Sequence, residues 1–272
     1  MIDKIFNLNM QDSLFKYAPI WNQSPLDQFV IRDLFSIKGD LLDNIQISLT
    51  NIGLYLLITT FILFMYFLLA SNYNILTPNS WSISQESIYS TVYSIVVNQI
   101  NSNKGQIFFP LIFSLFIYIL TNNLIGMVPY SFAPTSHFII TFSISFTVVI
   151  GATILGFQIH ALKFFSLFVP SGCPLGLLPL LVLIEFISYL ARSVSLGLRL
   201  AANVLSGHML LNILGGFTYN IMSKGLVYFF LGLMPLLFII AFSGLEIGIA
   251  FIQAQVFVVL SSSYIKDTLE LH

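Results

Sequence analysis

Long apolar runs fill the chain from about position 49 onward. Three of them, at residues 49–70, 107–127 and 138–157, have the length of a single membrane crossing, which takes roughly 20 helical residues. The segment VPYSFAPTS at 128–136 holds two prolines, and proline interrupts a helix. The pattern therefore predicts one N-terminal span followed by a transmembrane hairpin.

Two longer apolar runs follow, at residues 174–216 and 225–261, joined by the linker FTYNIMSK at 217–224. A helix as long as the first run measures about 65 Å at 1.5 Å per residue, whereas the hydrocarbon core is only about 30 Å thick. Because neither run contains a polar loop, each must form a helix that is strongly inclined or broken. We interpret the pair as a hairpin of two long, strongly tilted helices, with its turn centred near residue 220.

Residues 84–103 have a helical periodicity of a different kind. Apolar side chains recur there among polar ones, which is typical of an amphipathic surface helix: Ile88, Val92, Ile95, Val96 and Ile100. The polar face lacks the lysines of a helix that binds anionic lipid, so packing against protein is an equal alternative. With a polar region up to about residue 47, these elements predict an all-α polytopic membrane protein.

Composition narrows the function classes. The 272 residues are 57% hydrophobic and 8% charged, with net charge −1, which leaves too little polar surface to cover a soluble globule. The ten Lys and Arg are scattered singly, so no basic stripe predicts a nucleic acid partner. One cysteine, Cys173, permits neither an internal disulfide nor a thiolate metal site, and we predict no metal and no cofactor. Residues 1–23 lack the apolar core of a secretory signal.

Charged and polar residues inside the two long runs are the unusual feature. On a helix, spacings of 7, 7, 4 and 3 place five of them on one stripe: Glu185, Arg192, Arg199, Asn203 and Ser206. An arginine at the centre of a membrane helix costs about 2.5 to 3.5 kcal/mol and cannot shed its charge, so a functional role is the default expectation. His208 lies half a turn away from Arg199. In the second run Glu246 and Gln253 share a face, and Asp267 follows two heptads later.

Antiparallel folding of the two runs predicts three polar levels. The midpoints of His208 with Glu246, Arg199 with Gln253, and Glu185 with Asp267 all fall near position 226. His and Glu can exchange protons near neutral pH, whereas Arg stays charged. The hairpin would therefore hold a proton path that a fixed cation interrupts, and a mobile carrier beside Arg199 would have to complete it.

Simpler interpretations stay open for each residue. Arg199 could pair with a carboxylate on another helix, and Arg192 with Glu185 across their seven-residue spacing. His208 could be a packing residue bonded to a carbonyl. Asn203 and Gln253 could be hydrogen-bonded contacts between helices. Asp267 could belong to a solvated C-terminal tail.

The motifs themselves resemble subunit a of the F-type ATP synthase. They are SLGLRLAANVLSGH at 195–208, NNLIGMVPY at 122–130 and IQAQVF at 252–257, together with SPLDQF at 24–29 and the ending YIKDTLELH. The resemblance implies that Arg199 faces the carboxylate of the rotating c-ring and blocks proton leak. It assigns proton uptake to His208 and Glu246 and proton release to Glu185 and Asp267, and makes Asn203, Gln253 and Arg192 polar neighbours of Arg199.

Further expectations follow from the resemblance. It implies a stator subunit in the mitochondrial inner membrane of a fungus, with the c-ring and other membrane stator subunits as partners. Residues 1–23 would be a leader that some fungal members remove, and residues 24–272 one membrane domain. Because the chain has no GxxxxGK phosphate loop, ATP chemistry would occur in another subunit. A secondary transporter and a structural subunit of a respiratory complex are the alternatives, although we find no internal repeat of the transporter type.

Overall fold

Six α-helices account for most of the part of the chain that the computed structural model describes, residues 25–38, 46–71, 77–100, 102–128, 131–169 and 176–269. They are α1 (Asn51–Ala70), α2 (Ser80–Ile100), α3 (Ser102–Gly126), α4 (Phe138–His160), α5 (Leu178–Met222) and α6 (Leu226–Leu269). All but α2 are long and apolar enough to cross a membrane, α4 together with the 3-10 helix Ala161–Phe168 that follows it. The predicted all-α polytopic architecture is confirmed. The predicted leader and Cys173 lie outside the described residues.

A small β-hairpin precedes the first span and was not predicted. Strands β1 (Asp33–Lys38) and β2 (Gln46–Thr50) pair antiparallel, and a 3-10 helix at Asp27–Phe29 lies before them. The predicted start of the span at residue 49 is wrong, because Leu49 belongs to β2. Helix α1 begins one residue after Thr50, whose hydroxyl accepts a hydrogen bond from the amide of Gly53 at 3.4 Å and so caps the helix.

Helix α2 has the predicted amphipathic pattern, beginning at Ser80 instead of residue 84. Its apolar face packs on protein, since Val92, Val96 and Ile100 are buried in one cluster with Ile112 and Phe116 of α3. The sequence left open whether this helix lies on the membrane surface or packs against protein, and in the structure it packs against α3 and α6.

The hairpin of long helices is confirmed, but its turn lies later than predicted. Helix α5 continues to Met222, so residues 217–222 are helix and not linker. The physical reason is that this segment contains no glycine or proline that would end the helix. The chain turns only at Gly225, whose φ of +145° is disfavoured for other residues. This turn is nearer to position 226, where the three predicted pairs have their midpoints.

Length requires both helices to incline. Helix α5 has 45 residues and α6 has 44; the predicted runs, 174–216 and 225–261, began before these helices and ended within them. At 1.5 Å per residue each measures about 65 Å, roughly twice the hydrocarbon thickness. Pro179 in the first turn of α5 fits that position, because the amide that proline lacks has no partner in a first turn.

One face of α5 is fixed by α4. Ser193, Leu196, Gly197, Leu200 and Ala201 of α5 are buried at helical spacing. A Cβ on Gly197 would lie 2.9 Å from the Phe142 ring, so glycine permits the close approach of α4. The hydroxyl of Ser145 donates to the Ser193 carbonyl at 2.8 Å. These contacts direct the opposite, charged face of α5 away from α4.

Candidate functional site

The polar stripe predicted on α5 lies on its outward face. Arg192, Arg199 and Ser206 are exposed, and Glu185 and Asn203 are half-buried. The buried residues at 193, 196, 197 and 200 occupy the other side of the same turns. The seven-residue spacing of the charges therefore predicts their common direction correctly. Ala202 is also exposed on this outward side.

Arg199 lies at the centre of the outward face. It lines a cavity of about 440 Å³ together with Arg192, Ser195, Ser263 and Tyr264. It also lines an open groove of about 690 Å³ whose other walls are mainly apolar. Among the described residues no carboxylate forms a salt bridge with Arg199. The guanidinium is thus available to a group that approaches from outside the chain.

Arg192 joins the two carboxylates of the open end of the hairpin. Its guanidinium lies 3.7 Å from Oε1 of Glu185 on the same helix and 3.5 Å from Oδ2 of Asp267 on α6. The Tyr264 hydroxyl donates to the Arg192 carbonyl at 3.5 Å. The predicted pair of carboxylates is therefore bridged by an arginine, which neutralises part of their mutual repulsion. All three charged side chains are between 32% and 42% exposed.

Glu246 lies at the closed end of the hairpin, directly against Gly207. A Cβ on Gly207 would collide with the Glu246 carboxylate, so glycine makes room for it. Glu246 lines a cavity of about 340 Å³ with Asn203, Gln253 and Asn123. Its Oε2 atom is buried without a hydrogen-bond partner. This cavity brings together three residues that the sequence predicted to be functional.

Asn123 belongs to the same cavity and was missed as a candidate from the sequence. It is 1% exposed, and its amide donates to the Ala250 carbonyl of α6 at 3.4 Å, while its Oδ1 has no partner. Two consecutive asparagines inside an apolar run, Asn122 and Asn123, were the available signal.

His208 lies on another side of α5, as its position half a turn from Arg199 predicts. The edge of its ring packs on Phe29, with ring centroids 6.4 Å apart. Its Nε2 atom is buried without a partner and lies 3.7 Å from the position that a Cβ on Gly126 would occupy. His208 and Glu246 therefore share the closed end of the hairpin but form no hydrogen bond with each other. Arg199 and Gln253, predicted at one level, line different cavities.

The hairpin thus separates two polar regions. The closed end holds buried groups that can carry protons, the open end holds carboxylates around Arg192, and Arg199 lies between them on the outward face. Within the described ranges, no three His, Cys, Asp or Glu side chains are grouped as metal ligands.

Comparisons with known proteins show the family of this chain. The family described as ATP synthase A chain matches residues 53–266, which include all of α5 and α6 up to residue 266. A protein named ATP synthase subunit a from Penicillium chrysogenum is 76% identical over 249 residues, covering 92% of this chain and 97% of that protein. The subunit a of Podospora anserina is 70% identical over 263 residues, covering 96% of this chain and 100% of that protein. The chain belongs to the ATP synthase A chain family.

Proposed function

We propose a residue-by-residue route for protons through this chain, which as a member of its family is a stator subunit of the proton channel of F-type ATP synthase. Protons enter through His208 and Glu246, reach the carboxylate of a rotor subunit beside Arg199, and leave through Glu185 and Asp267. The family assignment takes the place of the secondary transporter and the structural respiratory subunit that the sequence left as alternatives.

Arg199 carries this proposal. A guanidinium that is exposed on a membrane helix with no ionic partner in the described chain needs an anion from elsewhere, because an isolated charge is costly in hydrocarbon. A carboxylate that moves past the groove at Val194, Leu198 and Ala202 would supply it. Arg199 would hold that carboxylate in its charged form and repel a free proton, which prevents leak between the two ends.

The open end supports proton release. Glu185 and Asp267 share Arg192 as their partner, and both are partly exposed, so they can accept a proton from the rotor side and pass it on. The cavity between Arg192 and Arg199, lined by Ser188, Ser195 and Tyr264, gives a polar path from the rotor side to these carboxylates.

The closed end supports proton uptake. Asn203, Glu246 and Gln253 line one cavity, and His208 adds a ring that can bind and release a proton. The Glu246 carboxylate and the His208 ring each have a buried atom that lacks a partner among the described residues. These atoms remain able to hold water or a proton. Each transfer gains about 2.3 kcal/mol per charge for every 100 mV across the membrane, several times thermal energy.

The partners and location follow from the same proposal. The chain is a multi-pass membrane protein and a subunit of the ATP synthase complex. We place it in the mitochondrial inner membrane, with the c-ring against the outward face of α5 and other membrane stator subunits around the remaining helices. ATP synthesis itself would take place in other subunits, and residues 1–23 would be a leader ahead of the membrane domain 24–272.

The decisive experiment compares Arg199→Lys with Arg192→Lys. Lysine keeps the positive charge but loses the planar fork that binds a carboxylate, and it can release its proton. We expect Arg199→Lys to abolish ATP-driven proton pumping in membranes where the complex has assembled. Arg192→Lys, on the same stripe, should keep most of the pumping, because a point charge suffices between two carboxylates. Full pumping by assembled Arg199→Lys would contradict the proposal.

A further inference from the structure

Buried polar atoms without partners are concentrated at one end of the molecule. Within the described residues there are seven such atoms, and six of them lie on α3, on the segment that joins α3 to α4, or at the closed end of the hairpin: Asn122 Oδ1, Asn123 Oδ1, Thr135 Oγ1, His137 Nε2, His208 Nε2 and Glu246 Oε2. Buried polar groups are normally satisfied, commonly by ordered water where protein offers no partner. Their clustering indicates that this end of the protein holds water.

The segment at residues 131–137 is buried although it joins two helices. Residues Phe132 to Ser136 are all buried, and α1, α3, α4 and α5 surround the short 3-10 helix Pro134–Ser136. Connecting segments usually lie at the surface, because buried backbone and side-chain polar groups need partners. A buried connection of this kind is typical of a functional segment.

The hydroxyl groups of this segment are used unequally. Ser131 donates to the Ile125 carbonyl at 2.6 Å, and Ser136 donates to the Ala133 carbonyl at 2.7 Å. Both serines therefore stabilise the path of the backbone. Thr135 is 1% exposed, and its hydroxyl has no partner. Because the Thr135 hydroxyl does not stabilise the backbone of the segment, it is able to bind a small molecule such as water.

His137 lies at the end of the segment, directly before α4, and is half-buried. Its ring stacks on Phe132 with centroids 5.2 Å apart, and the Nε2 atom is buried and unpartnered. The next residues, Phe138 and Ile139, are 40% and 80% exposed. Burial lowers the pKa of His137, so its imidazole is neutral at neutral pH and can both donate and accept a hydrogen bond.

The inner side of the segment reaches His208. The position of a Cβ on Gly126 lies 2.8 Å from Cβ of Ala133 and 3.7 Å from Nε2 of His208, so both residues meet over this glycine. Ala133 thus places the segment beside the unpartnered nitrogen of His208.

We propose that residues 131–137 form the outer part of the proton inlet, in which water bound by Thr135 and His137 passes protons from the surface to His208. This inference rests on the proposed function and specifies where its uptake path begins. A proton taken up on one side of the water chain is matched by a proton released to His208 on the other. No charge stays on the segment.

Matched substitutions of two neighbouring hydroxyls test the inlet. Thr135→Val preserves shape and removes an unpartnered polar atom, so packing alone predicts an equally stable or more stable protein. If the segment is the inlet, passive proton conductance through the membrane sector should instead fall about tenfold, because one hydrogen bond to water along the path is lost. Ser136→Ala is the control, because its hydroxyl already bonds to Ala133 and should not contribute. Wild-type conductance in assembled Thr135→Val would overturn the inference.

Substitutions at His137 provide a second measurement. His137→Phe keeps the stacking on Phe132 but cannot bind water, and should slow conductance as Thr135→Val does. His137→Gln restores a donor and an acceptor and should recover most of the rate. A glutamine variant as slow as the phenylalanine variant would contradict the role in binding water. His208→Phe distinguishes failure of the inlet from failure of the proposed uptake route. If His208→Phe stops proton pumping but neither Thr135→Val nor His137→Phe slows it, the inlet is wrong and the uptake route through His208 is retained.

Discussion

The two ends of the α5–α6 hairpin differ in how they accommodate polar groups in a membrane. At the open end, Arg192 lies between Glu185 and Asp267, and all three are partly exposed. At the closed end, His208 and Glu246 have buried atoms with no protein partner. Full charges are costly in a low dielectric and acquire ionic partners, whereas groups that can be neutral tolerate burial beside water. The partners therefore indicate that protein contacts stabilise the polar groups of the open end and that water stabilises those of the closed end.

The largest effect in this comparison should come from Gly207→Ala. Alanine normally favours a helix over glycine by about 1 kcal/mol, but its Cβ would collide with the Glu246 carboxylate. A carboxylate can move aside, so we expect the complex to assemble with Glu246 displaced. Proton pumping should fall by about tenfold to a hundredfold, because a shift of about 1 Å in a reacting group has effects of that order.

Gly216→Ala is the matched control for this substitution. Gly216 is on the same helix, and a Cβ there meets nothing within 4 Å. Its pumping rate should equal that of wild type, and its helix should be slightly more stable. Equal rates for the two alanine variants in assembled complexes would show that the contact between Gly207 and Glu246 has no role in proton uptake.

Regular spacing explains why much of this comparison could be predicted from sequence. The seven-residue intervals from Glu185 to Arg199 determine a common helix face, and apolar run lengths determine the number of spans. The midpoint of the polar pairs near 226 agrees with the turn at Gly225 better than the composition of residues 217–224 did. Helical residues that lack a strong breaker continue the helix, and FTYNIM is such a segment.

The remaining features depend on contacts that no local period encodes. Phe29 meets His208 across most of the chain, and Asn123 meets Ala250 between separate helices. Arg192 also reaches Asp267 on α6, because its side chain is long; the seven-residue spacing indicated only its pairing with Glu185. The burial of residues 132–136 likewise follows from the four helices around them.

An intermediate effect is expected from Arg192→Gln at the open end. This variant leaves Glu185 and Asp267 without their shared cation, so the pairing between α5 and α6 weakens. Because the side chains are partly exposed, each pair contributes only about 0.2 to 1 kcal/mol. The thermal midpoint of the detergent-solubilised complex should fall by a few degrees at most, and added salt should reduce the difference.

A double-mutant cycle with Asp267→Asn isolates this contact. The coupling free energy should be favourable and below about 1 kcal/mol. Zero coupling would mean that water, and not Arg192, stabilises Asp267, and the contrast between the two ends would disappear. The same cycle between Arg192 and Glu246, which lie at opposite ends, should give no coupling.

The smallest effect should come from Tyr264→Phe, which tests how far the open end depends on ionic contacts. The hydroxyl donates to the Arg192 carbonyl at 3.5 Å, the upper limit for a hydrogen bond, so its loss should cost no more than about 0.5 kcal/mol. Ser145→Ala, which removes the 2.8 Å bond to Ser193, should cost more, about 1 kcal/mol. Thermal unfolding of both variants measures the order. A larger loss for Tyr264→Phe than for Arg192→Gln would indicate that the phenol, and not the arginine bridge, joins α6 to α5 at this end.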